Sequence, residues 1–136
     1  DEPTAGLDPE ERNRFLNLLA EIGENVVVIL STHIVEDVAD LCPSMAIIAE
    51  GRIVRTGAPL EVIAAHDGRV WRKTIAKHEL DAYRRDHEVI ATRLFGGRTV
   101  IHVLAEQRPG GGFEPVPGGL EDVYFSTLAV SRRAAA

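Results

Sequence analysis

At 136 residues, the chain is long enough for one ordinary domain or two small ones. Its hydrophobic fraction of 45% and charged fraction of 26% are typical of a soluble protein with a packed core, and no apolar run approaches the roughly 20 residues that a bilayer-spanning helix needs. The single cysteine, Cys42, excludes an internal disulfide and fits a reducing cytoplasm.

The first predicted elements are a helix and a strand. Asp8 is a suitable N-cap, Pro9 favours the first helical position, and Gly23 is a natural stop. The apolar residues between them follow helical spacing: Phe15, Leu18, Leu19 and Ile22. Residues 25–30 form a β-branched run without alternation. This run predicts a strand covered on both faces, as in a parallel sheet.

A second helix is predicted over residues 34–42, where Pro43 ends it. Residues 44–49 and 52–55 then read as two strands of a hairpin, and a short helix follows over residues 57–66. Helix, strand, helix and strand at this spacing indicate half of an α/β layered fold.

Charge divides the chain near residue 68. Residues 1–68 carry 13 acidic and 4 basic side chains, whereas residues 69–136 carry 8 acidic and 11 basic ones. This asymmetry predicts two modules, 1–68 and 69–136. No nucleic-acid partner is expected, because no basic run exceeds two residues.

The second module reads as a small α+β domain. Gly96-Gly97 is a good two-residue hairpin turn, and residues 108–119 contain eight Gly or Pro and predict a loop. The remaining predicted elements are strands at 70–76, 88–95 and 98–105, helices at 77–86 and 120–130, and a frayed tail at 131–136.

Hydrolysis of a nucleoside triphosphate needs a metal partner, a group that orients or deprotonates water, and a sensor of the γ-phosphate. Asp1, Glu2 and His33 are side chains of the required types. In open α/β sheets such residues meet at the carboxyl ends of neighbouring strands.

Two motifs carry a family resemblance over residues 1–66. The run Asp1-Glu2-Pro3-Thr4-Ala5-Gly6-Leu7-Asp8-Pro9 resembles the end of Walker B and the D-loop of ABC transporter ATPases, and Ser31-Thr32-His33 is similar to their H-switch. The resemblance implies an α/β fold: a partial P-loop NTPase (RecA-like) layered fold lacking its N-terminal half, followed by a small α+β C-terminal domain.

The resemblance also implies roles and partners. Asp1 would help to hold Mg²⁺, Glu2 would be the general base or water-orienting group, and His33 would contact the γ-phosphate of ATP. Asp8 would contact the nucleotide site of the opposite subunit. The implied partners are a second ATPase subunit, identical or not, and transmembrane permease subunits. The expected location is the cytoplasmic face of the cell membrane.

The Walker A loop, the glutamine loop and the ABC signature motif are missing from the printed sequence. We therefore expect the chain to begin in the middle of an active site. Since the backbone N–H groups of a Walker A loop supply most phosphate contacts, we expect the 136 residues alone to hydrolyse no ATP. The unpaired edge of the predicted strand 25–30 should also favour self-association.

The run Gly119-Leu120-Glu121-Asp122-Val123-Tyr124-Phe125 is similar to the tail of ABC ATPases that pair with ABC-2 type exporter permeases. The favoured interpretation is thus part of an exporter ATPase. Two alternatives stay open: a soluble ABC protein that does not act in transport, and a non-catalytic fragment that regulates or dimerises through residues 69–136. The other histidines are interpreted as surface or strand residues, and Cys42 as a buried thiol.

Overall fold

Five α-helices and six strands build the protein in the computed structural model, which describes residues 1–135. The helices are α1 (Pro9–Gly23), α2 (Val35–Leu41), α3 (Pro59–Ala64), α4 (Leu80–Asp86) and α5 (Leu120–Ala135). The strands are β1 (Met45–Ala49), β2 (Arg52–Gly57), β3 (Val70–Ile75), β4 (Glu88–Phe95), β5 (Arg98–Leu104) and β6 (Glu114–Pro115). The fold is therefore mixed α and β, with two antiparallel sheets.

The prediction of α1 is confirmed at both ends. The Asp8 carboxylate accepts a hydrogen bond of 2.9 Å from the backbone N–H of Glu11, Pro9 is the first helical residue, and Gly23 is the last. No residue of α1 is buried. The apolar side chains of α1 are thus not covered by other elements, and Leu18 and Ile22 are both exposed.

The predicted strand at residues 25–30 is wrong. The segment begins with a turn, has no regular secondary structure after it and belongs to neither sheet, and Val27 and Ile29 are 88% and 90% exposed. A strand exists through hydrogen bonds to a neighbour, and within residues 1–135 no strand pairs with this segment. A parallel layer of the expected kind is therefore not formed around it.

The predicted hairpin is confirmed by β1 and β2, which pair antiparallel from Met45↔Gly57 to Ala49↔Arg52. Glu50 and Gly51 form the turn with φ values of 50° and 74°. Positive φ at both turn residues matches the right-handed twist of the flanking strands.

The second sheet has the strand order β4-β5-β3-β6. The Gly96-Gly97 turn between β4 and β5 is confirmed, and both glycines have positive φ. A 3₁₀ turn at Lys77–Glu79 leads into α4, so the helix predicted over residues 77–86 is present in two parts.

Two predictions for the end of the chain need correction. The loop predicted over residues 108–119 contains β6, which pairs with Trp71 and Arg72 of β3. Residues 131–135 are helical rather than frayed, because α5 continues through good helix formers to Ala135. Ala136 lies outside the described residues.

Helix α5 packs between the two parts of the molecule. Its Leu120 and Val123 join Ile47 and Val62 in one buried cluster, whereas the second cluster lies in the four-stranded sheet around Ile101. Within residues 1–135, no helix combines the length and apolar character needed to cross a bilayer.

Polar contacts fix α5 on both sides. The Ser126 hydroxyl lies 3.0 Å from Nε2 of His66, two residues after the end of α3. Asp122 accepts a hydrogen bond of 2.8 Å from Nδ1 of His102 on β5. Glu121 forms an ion pair with an arginine of β4. The interpretation of His66 as a surface or strand residue is wrong, because its side chain is buried against α5.

Candidate functional site

Glu2 and His33 form a hydrogen-bonded pair. Oε1 of Glu2 lies 2.8 Å from Nδ1 of His33 and accepts a second bond of 2.8 Å from the backbone N–H of His33. Thr32 donates its hydroxyl to the other carboxylate oxygen at 3.2 Å. The carboxylate is therefore held in one orientation by three donors from the segment after residue 30.

These hydrogen bonds change the acidity of Glu2. The bond from the His33 ring lowers the pKa of the Glu2 carboxyl below its ordinary value; partial burial acts in the opposite sense, and the bonds from the His33 N–H and Thr32 add to the lowering. Glu2 is consequently ionised at neutral pH.

The backbone joins the same two segments. The N–H of Glu2 donates to the carbonyl oxygen of Ser31 at 2.7 Å, and the Ser31 hydroxyl donates to Asp1 at 2.6 Å. Glu2 itself has φ of 44°, in the left-handed region that non-glycine residues seldom occupy. Such a conformation persists where the surrounding structure holds it in place.

The structure brings Asp1, Glu2 and His33 together and leaves Asp8 outside this cluster. Asp8 is the N-cap of α1, where its carboxylate is bound by Glu11. Its contact with a second subunit stays a prediction.

A cleft of about 300 Å³ opens beside the pair. Its polar wall comes from the two segments just described, and its apolar wall includes Val38, Ile47, Leu120 and Tyr124. Sequence reasoning did not place α5 at this site, because Leu120 and Tyr124 lie far from Glu2 along the chain.

A buried polar network lies behind the pair and was also missed. Asp37 of α2 is fully buried and accepts hydrogen bonds from the Thr4 hydroxyl and, at 2.6 Å, from Nε of Arg12. The available signal was weak. Asp37 is one turn from Ile34 and Leu41, so it is a carboxylate on the apolar side of a short helix.

Among residues 1–135, no group of three or more His, Cys, Asp or Glu side chains converges as a metal site would require. Cys42 is half-buried, and burial, together with the negative charge of Asp37, raises the pKa of its thiol. The four other histidines are held in structural contacts or lie on the surface, as His66 and His102 illustrate.

The chain resembles the C-terminal part of ABC transporter ATP-binding proteins, and comparison with curated relatives confirms this recognition. It is 31% identical over 138 residues to the Nod factor export ATP-binding protein I of Burkholderia orbicola, covering 92% of this chain and 44% of that protein. It is 41% identical over 64 residues to the energy-coupling factor transporter ATP-binding protein EcfA2 of Enterococcus faecalis, covering 46% of this chain and 22% of that protein.

A similar match of 38% identity over 66 residues links the chain to EcfA2 of Lacticaseibacillus paracasei, covering 47% of this chain and 23% of that protein. The chain thus spans less than half of the length of each of these relatives. No protein-family model matches it.

Proposed function

We propose that the chain is part of the ATP-hydrolysing subunit of an ABC transporter, an ABC-2 type exporter, and couples ATP hydrolysis to transport. The observation that carries the proposal is the Glu2–His33 pair, in which two motif segments meet through direct hydrogen bonds. The exporter assignment draws support from the Burkholderia relative, because that alignment extends across both modules and the relative is named for export.

Glu2 is proposed to orient the attacking water. The lowered pKa keeps Glu2 ionised at neutral pH, so its carboxylate oxygens can accept a hydrogen bond from the water and orient it. A carboxylate only accepts hydrogen bonds, so Nδ1 of His33 carries the proton that points to Glu2. Nε2 of His33 then donates to a γ-phosphate oxygen when the imidazole is cationic.

Asp1 is proposed to hold Mg²⁺. Its Oδ1 is bound by the Ser31 hydroxyl, an arrangement that orients the carboxylate at the exposed edge of the cleft. Magnesium in nucleotide sites is bound by one or two carboxylates together with phosphate oxygens and water, so a single aspartate fits the ion. When bound, Mg²⁺ neutralises charge that develops on the phosphate oxygens.

The wider assignment follows from the same proposal. Residues 1–68 would be the C-terminal half of a RecA-like P-loop ATPase domain, and residues 69–136 an accessory α+β domain. Asp8 would face the nucleotide site of a second ATPase subunit. Permease subunits would hold the assembly on the cytoplasmic face of the membrane.

The printed 136 residues contain no Gly-x-x-x-x-Gly-Lys-Ser/Thr loop, so we expect the isolated chain to release no phosphate from ATP. The test of function is a chimera in which this chain replaces the aligned 44% of the Nod factor export ATP-binding protein I. We expect ATP hydrolysis by the chimera, and a loss of roughly 100-fold or more in Glu2→Gln and His33→Ala.

Glu10→Gln is the matched control, since Glu10 is an exposed carboxylate on α1. A chimera that folds and binds ATP but hydrolyses none would contradict the proposal. Parental rates in both site variants would contradict it equally.

A further inference from the structure

The Glu2–His33 pair is partly open to solvent. His33 is 79% exposed, and Glu2 is one-third exposed, and polar side-chain contacts at such positions contribute little stability. Yet Glu2 stays in a left-handed conformation with φ of 44°. The loop that follows Glu2 also has a better-buried contact, which can fix it more firmly.

That contact is the network around Asp37. Thr4 lies two residues after Glu2, is 2% exposed, and donates its hydroxyl to Oδ2 of Asp37. Arg12 of α1 donates Nε to Oδ1 at 2.6 Å and pairs its guanidinium with the same oxygen. Both oxygens of a carboxylate with no exposed surface are thus occupied, as burial of a charge requires.

The network around Asp37 joins the same two segments as the Glu2–His33 pair. Thr4 belongs to the loop that begins at Glu2, and Asp37 lies in the first turn of α2, which starts two residues after His33. The exposed pair and the buried network are therefore two successive connections between one loop and one helix start. The buried connection is the one that solvent cannot compete for.

We propose that Asp37 is a positioning residue, which fixes Glu2 against His33 by locking the loop of Thr4 and helix α1 to helix α2. Its consequence for hydrolysis rests on the proposed function, whereas the geometric effect does not. Any displacement of α1 or α2 would then change the orientation of the Glu2 carboxylate. The side-chain hydrogen bonds of Asp37 go to Thr4 and Arg12 rather than to either member of the pair.

The test uses the 136-residue chain without nucleotide. Asp37→Asn removes the charge at constant shape, and Thr4→Val removes the hydroxyl at nearly constant volume. Glu36→Gln is the matched control, because Glu36 is the neighbouring carboxylate on α2 and its side chain is 83% exposed. Two signals are measured by NMR at pH 7: the chemical shift of the Glu2 carboxyl carbon, and hydrogen exchange at the backbone N–H of His33.

We expect the chemical shift of the Glu2 carboxyl carbon to change in both variants, because its hydrogen bonds to His33 and Thr32 are weakened. Exchange of the His33 N–H should accelerate roughly tenfold, the size expected for loss of one buried hydrogen bond. Glu36→Gln should change neither signal. Fluorescence of Trp71, in the four-stranded sheet, reports whether each variant is folded.

An unchanged Glu2 carboxyl shift and unchanged His33 exchange in folded Thr4→Val and Asp37→Asn would overturn the proposal. If Asp37→Asn unfolds, Thr4→Val decides alone, and unfolding of both variants would show a role in fold stability and overturn positioning. An inactive chimera with these NMR changes intact would count against the proposed function and leave the positioning role standing.

Discussion

Replacing Asp122 by alanine should destabilise the protein through two lost hydrogen bonds. Asp122 is 7% exposed and accepts bonds from Nδ1 of His102 at 2.8 Å and from the backbone N–H of Gly119 at 3.0 Å. The first bond fastens α5 to β5, and the second caps the first turn of α5 itself. The exporter-like tail motif thus contains a residue whose structural role can be measured.

The magnitude follows from the kind of bond that is lost. A hydrogen bond to a charged group contributes about 1.5–3 kcal/mol, and a helix cap contributes about 1 kcal/mol. Asp122→Ala should therefore lower the free energy of unfolding by about 3 kcal/mol. For a chain of this length the midpoint of thermal unfolding should fall by about 9 °C.

The effect should depend on pH in a defined direction. Burial acts to raise the pKa of Asp122, but the bonds from His102 and Gly119, with the nearby charge of Arg93, outweigh it and leave the pKa lowered. The contribution of the carboxylate is then complete above its ordinary pKa of 3.8 and is lost as the pH falls through the lowered value.

Urea denaturation followed by Trp71 fluorescence, at several pH values between 7 and 3, is the assay. The difference in the free energy of unfolding between the parent and Asp122→Ala should stay constant down to about pH 4 and become smaller below it. Asp81→Asn, in the first turn of α4, is the control and should cost much less. A gap under about 0.5 kcal/mol at pH 7 would refute the reasoning, because it falls within the range of ordinary surface substitutions.

Three further outcomes are expected. Asp8→Ala should lower the free energy of unfolding by about 1 kcal/mol, because the cap of α1 is lost. Asp8→Asn, whose side chain can also cap, should keep the parental stability. Urea denaturation followed by circular dichroism measures both. Burial lowers the pKa of His66, with nearby arginine charges adding, so parental stability should be complete above about pH 6.5 and fall below it. His66→Gln should flatten that dependence between pH 7 and 5, and an equally steep profile would contradict the assignment. Val27→Lys with Ile29→Lys should leave unfolding within about 0.5 kcal/mol and reduce self-association in sedimentation velocity, since both side chains are exposed; a large loss of stability would show that they are packed.

The elements that could be predicted from sequence are those with local signals. Helix α1 begins and ends where the capping preference of Asp8 and the backbone preferences of Pro9 and Gly23 predict. These preferences act within one helical turn. The Gly96-Gly97 turn likewise needs only two residues with positive φ. These signals depend only on adjacent residues, so they predict an element without knowledge of the rest of the fold.

The failed predictions depend on distant partners. Residues 25–30 have the composition of a buried strand, but composition cannot supply the neighbouring strand that hydrogen bonding requires. The hydrogen bond between Thr4 and Asp37 joins residues that are 33 positions apart, so no local sequence pattern predicts it. Conversely, Glu2 and His33 do meet as expected for two motif segments, although their roles in hydrolysis stay predictions.

The stiffness of helix α5 has a consequence for how the four-stranded sheet is connected to the cleft. It begins with Leu120 on the wall of the cleft and reaches Arg133, which lies 3.7 Å from Glu88 at the start of β4. Sixteen helical residues form a stiff rod of roughly 24 Å. A force applied to the four-stranded sheet would therefore reach the cleft through this rod, without passing along the Gly/Pro-rich segment that joins sheet and helix in the chain.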